Sequence, residues 1–349
     1  MINNETRFSK VIHSTVYRYG SPCDQFYGYL VLREGGGVYG YDHPNEKQWC
    51  FNSEELAFIS EIGLVTSCFK YEPTTNCFFG KAFGTQWPLC LIPILSLDAG
   101  TTSGSLPPLI INTIPKAGTY FLEAAFAYAG WLATRLHLGS HQIDDYRTSA
   151  DDDMHKTPEK CRINCPVDIF AAALPLGHLA VGHVEDSKMI NQVRKLGIPL
   201  IHCVRNLRNV IVSLYRFKRA KVQPIDAPDL YWRKLPESSA FDGFITVLSN
   251  RDMAFIADMA RLIVQDTEAV TLRYEDLIQG RICQKVEMLT HDSSILRHIR
   301  EGLLAKLGHP TSTLSGSERS DWKSVWTPFA EDFFVQSGLL ELNQALGYE

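Results

Sequence analysis

The chain has 349 residues, of which 45% are hydrophobic and 21% are charged, as in ordinary globular proteins and unlike disordered or fibrous ones. Its formal net charge of -5 argues against a protein that binds nucleic acid or a sulfated polymer through an extended basic surface. The nine cysteines are odd in number and scattered, so the sequence predicts free thiols and no metal site.

No membrane or export segment is predicted from the sequence. The first residues lack the charged-then-apolar pattern of a signal peptide. The longest apolar run, residues 89–97, is interrupted by Pro93 and is too short to span a bilayer. These features predict a cytoplasmic protein without a membrane partner.

The first part of the chain is rich in β-type segments. From about Tyr17 to Leu97, short apolar and aromatic runs alternate with glycine and Asn/Asp turns, which predicts a small antiparallel sheet or barrel. A Gly/Ser/Thr/Pro stretch at residues 97–108 is typical of a linker. We therefore predict a β-rich N-terminal domain of unknown role at residues 1–105 and a second domain at 106–349, in line with the usual ~100–200 residues per domain.

Strands and helices alternate after the linker, which predicts an α/β domain whose central parallel sheet is flanked by helices. Residues 108–114 are predicted to form a buried strand. Residues 119–137 are predicted to form a helix that ends at Gly139. Further helices are predicted at residues 209–221 and 244–265.

A candidate anion-binding loop, PKAGTY at residues 115–120, joins the first of these strands to the next helix. A turn of this kind directs backbone N–H groups and a helix N-terminus at a phosphate. Lys116 adds a positive charge and Thr119 a hydroxyl donor. The loop is not a Walker A motif, because the pattern GxxxxGK[ST] is absent.

A second candidate anion site follows a later strand, in the segment RNLRNVIVS. Arg205 at the strand end can bind a phosphate through its fork of donors, and Ser213 on the following helix can reach the same oxygens. Two anion sites on neighbouring strands suit a ligand that carries phosphate at both ends.

Together the two segments resemble the nucleotide-binding signatures of the sulfotransferases that use 3'-phosphoadenosine 5'-phosphosulfate (PAPS). The resemblance implies that the loop, like the family's PKSGTTW, binds the 5'-phosphosulfate, and that Arg205 and Ser213, eight residues apart, bind the 3'-phosphate. It also implies a P-loop-like phosphate-binding turn, PAP as product and no metal. The implied loop contacts are Lys116, Ala117, Gly118, Thr119 and Tyr120, with Phe121 against the adenine.

This chain departs from the two signatures at four positions. Ala117 replaces a serine, Tyr120 the second hydroxyl residue, Leu207 a proline and Asn209 an aspartate. These departures bear on individual contacts rather than on the order of the motifs.

Two further segments resemble the family in the expected order. Tyr274 opens YEDL, where the family has a tyrosine near the adenine. Trp322 lies in SDWK, similar to the C-terminal GDWK signature, although the basic RKG that usually precedes it is missing. Arg319 is the residue that can replace that charge.

The resemblance also implies a catalytic base. His183 lies 22 residues before Arg205, the family's spacing between the base and the 3'-phosphate arginine. A neutral histidine suits removal of a proton from the acceptor, and Lys116 suits neutralisation of the charge on the leaving phosphate. His178 is the rival base, and Glu185 is a weaker candidate.

The acceptor is left open, as is the oligomeric state, for which a homodimer is one option. Five aspartates between residues 141 and 160 favour a cationic small molecule, such as a saxitoxin-type alkaloid of bacterial secondary metabolism, sulfated on a hydroxyl or an amino or carbamoyl group. The stretch Val222–Glu237 is interpreted as a mobile lid. A nucleotide-dependent phosphotransferase and a PAP-binding protein without turnover are the alternative functions.

Overall fold

Two β-sheets organise the chain in the computed structural model. The structure describes residues 12–23, 25–52, 55–97, 106–148, 158–248, 252–290, 294–307 and 321–349. Within these ranges no helix is long and apolar enough to cross a membrane.

The first sheet consists of eight antiparallel strands that follow the order β3-β2-β1-β8-β7-β6-β5-β4. The strands are β1 Thr15–Gly20, β2 Phe26–Leu32, β3 Val38–Tyr39, β4 Gln48–Asn52, β5 Glu55–Ile59, β6 Val65–Glu72, β7 Cys77–Ala82 and β8 Pro88–Ser96. A bridge between Gly37 and Gln48 connects the two edges, and the Trp49 N–H donates to the Gly36 carbonyl at 2.7 Å. The sheet is therefore closed into a barrel.

Alternating side chains on the barrel strands serve two different cores. Tyr17 and Tyr19 of β1 point inward, into a core that is rich in aromatic rings. Val16 on the opposite face of β1, with Val31 of β2, packs into the larger core of the rest of the chain. The domain boundary at residue 105 stays a prediction, because residues 98–105 lie outside the described ranges.

The second sheet has seven strands in the order β12-β11-β10-β13-β9-β14-β15. They are β9 Leu109–Thr113, β10 Leu132–Leu138, β11 Gln142–Asp145, β12 Arg162–Asn164, β13 His178–Gly182, β14 Leu200–Val204 and β15 Val270–Arg273. The strands β10, β13, β9, β14 and β15 are parallel, and β11 and β12 add an antiparallel edge. The predicted central parallel sheet is thus present with an antiparallel extension.

Helices connect and cover these strands. They are α1 Thr119–Tyr128, α2 Val167–Ala173, α3 Ser187–Lys195, α4 Leu207–Lys221, α5 Ala227–Lys234, α6 Glu237–Leu248, α7 Asp252–Gln265, α8 Tyr274–Leu277, α9 Ile295–Lys306, α10 Pro328–Gln336 and α11 Leu339–Ala345. All residues of β9, β13 and β14 are buried, which explains why most of them are apolar. Because these strands are parallel, Thr113, His183 and Arg205 lie at or just beyond the same edge of the sheet.

The predicted helix over residues 119–137 was wrong in its second half. Helix α1 ends at Tyr128, and Gly130 adopts a φ of 112° that L residues rarely take. Beyond it, the buried residues Thr134, Leu136 and Leu138 alternate with more exposed ones, which is the period of a strand. The apolar residues of this stretch satisfied both periods, and pairing of β10 with β13 decided between them.

Two other predicted helices differ at their limits. Helix α4 begins at Leu207 rather than 209, because the Asn206 side chain caps it by accepting from the Arg208 N–H at 3.0 Å. Of the helix predicted at 244–265, the structure describes α6 up to Leu248 and α7 from Asp252, and residues 249–251 lie outside the described ranges.

Candidate active site

The loop after β9 forms a tight turn that opens helix α1. Lys116 and Gly118 both have positive φ, 66° and 92°, and the Ala117 N–H donates to the Ile114 carbonyl at 3.0 Å. Gly118 is the N-cap of α1 and supplies no side-chain cap, so the first N–H groups of the helix have no partner within it. A Cβ at Gly118 would lie 2.6 Å from Cδ2 of Tyr274, so only glycine fits. The loop therefore presents N–H groups at a helix N-terminus, where an anion can bind.

The side chain of Lys116 extends from the loop to helix α4. Its Nζ is 3.9 Å from the centre of the Phe217 ring, a cation–π contact, and its carbonyl accepts a hydrogen bond of 2.9 Å from Nη1 of Arg205. Burial, and then the nearby Arg205 charge, lower the pKa of Lys116 to about 7. An anion bound beside this amine would favour its charged form.

Arg205 follows β14 and connects the two predicted anion motifs. Besides its bond to the loop, its guanidinium lies 4.6 Å from the centre of the Tyr274 ring. Burial lowers its pKa, and its Nε is buried without a hydrogen-bond partner among the described residues. Because buried donors are nearly always paired, this N–H is a candidate donor to a bound ligand.

Ser213 lies on α4, partly exposed, two turns after the start of the helix. The start is held by two acceptors that the sequence analysis missed. Glu275 Oε1 accepts from the Asn206 N–H at 3.2 Å, and Asn343 Oδ1 accepts from the Leu207 N–H at 2.8 Å. The glutamate of the YEDL segment thus positions the arginine segment, a role that no local pattern indicates.

Aromatic rings surround the loop on the side of Tyr274. The Phe121 and Tyr274 rings are 6.3 Å apart, edge to face. The backbone N–H of Trp322 donates to Oδ1 of Asn209 at 3.1 Å. This bond places the SDWK segment against α4. Arg319 lies outside the described residues.

Arg208, the second arginine of the motif, is bound by side chains of helix α10. Its Nε and Nη2 bond to the two carboxylate oxygens of Glu331 at 3.0 and 2.6 Å, and its guanidinium lies 4.4 Å from the centre of the Phe334 ring. The residue is 6% exposed. It therefore ties α4 to α10 and does not contribute to the anion site.

Replacement of Arg208 by Met is expected to destabilise the fold by about 2–3 kcal/mol, somewhat less than loss of a fully buried ion pair because water can reach Glu331. PAP affinity of the folded protein should not change. Urea unfolding measures the first effect and calorimetry the second. The control is Arg261→Met, which breaks the exposed pair with Asp258 and should cost less than about 0.5 kcal/mol. Equal losses in the two variants would contradict the structural role of Arg208.

His183 follows β13 and is held at several points. Its backbone N–H donates to the Leu138 carbonyl at 2.7 Å, and Asn112 clasps the next residue, accepting from the Val184 N–H at 2.7 Å and donating to its carbonyl at 3.0 Å. Nδ1 of His183 lies 2.7 Å from the Thr113 carbonyl oxygen. Because a carbonyl only accepts, Nδ1 carries the proton and Nε2 is left as the basic atom.

The surroundings of His183 keep it neutral. Burial, and next the neighbouring His137, lower the pKa of His183 to about 3. The Thr113 hydroxyl lies 3.2 Å from Nδ1 of His183 and 2.6 Å from the hydroxyl of Thr119 in the loop. The candidate base and the candidate anion loop are thus connected through one buried threonine.

The rival His178 lies at the other end of β13, where it pairs with Leu132, and its Nδ1 is 3.1 Å from the Leu176 carbonyl oxygen. His183 lies five positions further along the chain, about 16 Å away at the usual strand rise. Of the two histidines, only His183 lies at the edge of the sheet that carries the anion loop.

Two aspartates of the acidic segment at residues 141–160 are paired with arginines. Asp144 pairs with Arg162 at 2.9 Å and Asp145 with Arg147 at 2.6 Å, so these two carboxylates do not favour a cationic acceptor. The other three aspartates lie outside the described residues.

Trp232, in the segment Val222–Glu237 that is predicted to be a lid, is fully buried, so the helix α5 that carries it is anchored in the core.

Comparison with known proteins returned matches only among solved structures. No protein-family model and no curated protein matches the chain. Mouse sulfotransferase SULT7A1 complexed with PAP is 13% identical, with a TM-score of 0.42, over 70% of this chain and 89% of that chain. The sulfotransferase domain of the Synechococcus PCC 7002 olefin synthase is 14% identical, with a TM-score of 0.38, over 71% and 97%. Retinol dehydratase in complex with androsterone and PAP is 11% identical, with a TM-score of 0.36, over 78% and 90%.

Proposed function

We propose that the chain is a sulfotransferase that moves a sulfuryl group from PAPS to a hydroxyl or amino group of a small molecule. The observation that carries the proposal is the position of Arg205. This buried arginine bonds to the Lys116 carbonyl of the anion loop, and its Nε–H has no partner among the described residues. This bond supports a single site made of two candidate anion-binding elements, which a ligand with phosphate at both ends requires.

The residues present fit that nucleotide. The N–H groups of the loop at Gly118, Thr119 and Tyr120, with the Lys116 amine, would hold the 5'-phosphosulfate. Arg205 and Ser213 would hold the 3'-phosphate. The aromatic side chains for the adenine are Phe121, Tyr274 and Trp322.

His183 is the proposed base. Its Nε2 removes the proton of the acceptor, while the Thr113 carbonyl holds the opposite nitrogen and fixes the ring. A histidine with a pKa of about 3 is a weak base, but a bound anion near Lys116 and His183 would raise both pKa values. Bound PAPS supplies the sulfuryl group and the leaving phosphate, whose charge Lys116 neutralises.

The proposal is tested by thermal stabilisation with PAP, compared with ATP and AMP at equal concentrations. Ligand at about 100 times Kd adds roughly 2.7 kcal/mol to the free energy of unfolding, enough to raise Tm visibly. Stabilisation by PAP alone supports the two-phosphate site. Stabilisation by ATP with Mg²⁺ and none by PAP would overturn the proposal in favour of a phosphotransferase. PAP binding without transfer to any acceptor would favour a binding protein.

PAP binding is expected to take up a proton above pH 7. The free Lys116 amine, with a pKa of about 7, is largely neutral at pH 8.5, and the bound phosphate would favour its charged form. The Kd for PAP should therefore rise by up to about tenfold per pH unit above pH 7. Calorimetry at pH 8.5 in buffers of different ionisation enthalpy measures the proton uptake, with Lys116→Met as the matched control. Equal uptake by both proteins would show that another group titrates.

A further inference from the structure

The side chain of Tyr120 extends away from the anion loop. Its hydroxyl lies 3.2 Å from Nδ1 of His137 on β10. The His137 ring in turn lies 4.6 Å from the His183 ring, at an interplanar angle of 72°. The three side chains form a continuous series that ends at the proposed base.

The backbone explains this direction. Tyr120 is the second residue of α1, so its N–H faces the helix N-terminus and the loop while its side chain projects beside the sheet. A short hydroxyl residue at this position keeps its oxygen near its own Cβ, next to the loop. A tyrosine carries its oxygen at the far end of a ring, where it meets β10. In this chain the hydroxyl of residue 120 therefore lies at β10 and not at the loop.

Strand β10 is irregular immediately before His137. Ala133 pairs with Leu179 and His137 with Val181, so four residues of β10 span two of β13. Within this bulge Arg135 has a φ of 57°, one of three described non-glycine residues with positive φ. Bulges re-aim side chains and are over-represented beside active sites. The bulge ends at His137.

Close approach of β10 and β13 holds His137 next to His183. Gly182 passes so near β10 that a Cβ there would lie 2.1 Å from the Leu138 carbonyl oxygen. The same oxygen accepts the His183 N–H. The backbone of His137, one residue earlier, is therefore held close to that of His183.

We propose that Tyr120 and His137 are positioning residues for His183, and that the Tyr120 side chain serves the acceptor side of the site and not the cofactor loop. The inference rests on the proposed function and deepens it. The Thr113 carbonyl fixes the Nδ1 edge of His183, and His137 packs on the ring itself. The pair therefore controls the ring orientation that directs Nε2 at the acceptor. Only the backbone N–H of Tyr120 remains with the nucleotide.

The test compares Tyr120→Phe, which removes one hydroxyl, with Thr119→Val, which removes the neighbouring hydroxyl of the loop. Calorimetry should find the Kd for PAP changed less than about twofold in Tyr120→Phe and raised about tenfold or more in Thr119→Val. A tenfold rise in Tyr120→Phe would assign the hydroxyl to the cofactor and overturn the inference. Absence of PAP binding by the unsubstituted protein would instead overturn the proposed function.

A second readout needs no acceptor. The imidazole nitrogen shifts of His183 in PAP-loaded, ¹⁵N-histidine-labelled protein should move in Tyr120→Phe and in His137→Phe, and less in His137→Gln, which keeps a hydrogen-bonding partner for Tyr120. Unchanged His183 shifts in all three variants would overturn the positioning role. Transfer from 4-nitrophenyl sulfate to PAP, which releases 4-nitrophenolate and forms PAPS, provides the kinetic counterpart. There, KM for the sulfate ester should rise at least about fivefold in Tyr120→Phe, with KM for PAP unchanged.

Discussion

Replacement of His183 by alanine is expected to lower kcat by about 10²–10⁴-fold, the usual contribution of a general base. The Kd for PAP should change less than about twofold, because the ring has no direct bond to the cofactor loop and reaches it only through the Thr113 hydroxyl. Transfer of ³⁵S-labelled sulfuryl groups from PAPS to screened acceptors measures the first quantity and calorimetry the second.

The acidity of the acceptor makes this test sharper. An acceptor that ionises readily, such as 4-nitrophenol, needs little help from a base, so its rate should fall much less than that of an aliphatic alcohol. His178→Ala is the matched control, since His178 lies at the opposite end of the same strand and should be dispensable for turnover. Equal activity of the His183→Ala and unsubstituted proteins, or a loss confined to His178→Ala, would contradict the assignment of the base.

Replacement of Arg205 by alanine is expected to weaken PAP binding by about 2–3 kcal/mol, a rise in Kd of roughly 30- to 150-fold, which is typical for loss of a charged hydrogen-bonding partner. Two effects contribute to it. The guanidinium would no longer reach the 3'-phosphate, and the Lys116 carbonyl would lose the bond that holds the loop.

Adenosine 5'-phosphosulfate, which lacks the 3'-phosphate, separates these two effects. If Arg205 binds the 3'-phosphate, the unsubstituted protein should prefer PAPS strongly and the Arg205→Ala variant should lose most of that preference. If the variant binds both nucleotides more weakly by the same factor, Arg205 acts only on the loop. Arg208→Met is the matched control, because its guanidinium is paired with Glu331.

The sequence by itself located the candidate loop and the strand end that carries Arg205, because each is a short segment whose own residues determine its position next to a strand. The loop from Lys116 to Tyr120 joins a buried strand to a helix, so glycine and lysine there predict an anion site from local structure alone. Arg205 could likewise be placed at a strand end, because an apolar run of strand length stops directly before it. His183 was identified only through the resemblance, by its spacing of 22 residues from Arg205.

Packing between distant parts of the chain determined the other contacts of the candidate site. His137 has no local signature, and it meets His183 only because β10 is the neighbour of β13 in the sheet. Residues 132–138 carry apolar side chains compatible with a helix or a strand, and the partner strand selected the strand. Arg205 and Arg208 lie three residues apart in one motif, yet one faces the anion loop and the other pairs with Glu331, more than a hundred residues away. Local segments encode which chemistry is available, whereas strand order and register determine which side chains meet, because those depend on contacts between residues far apart in the chain.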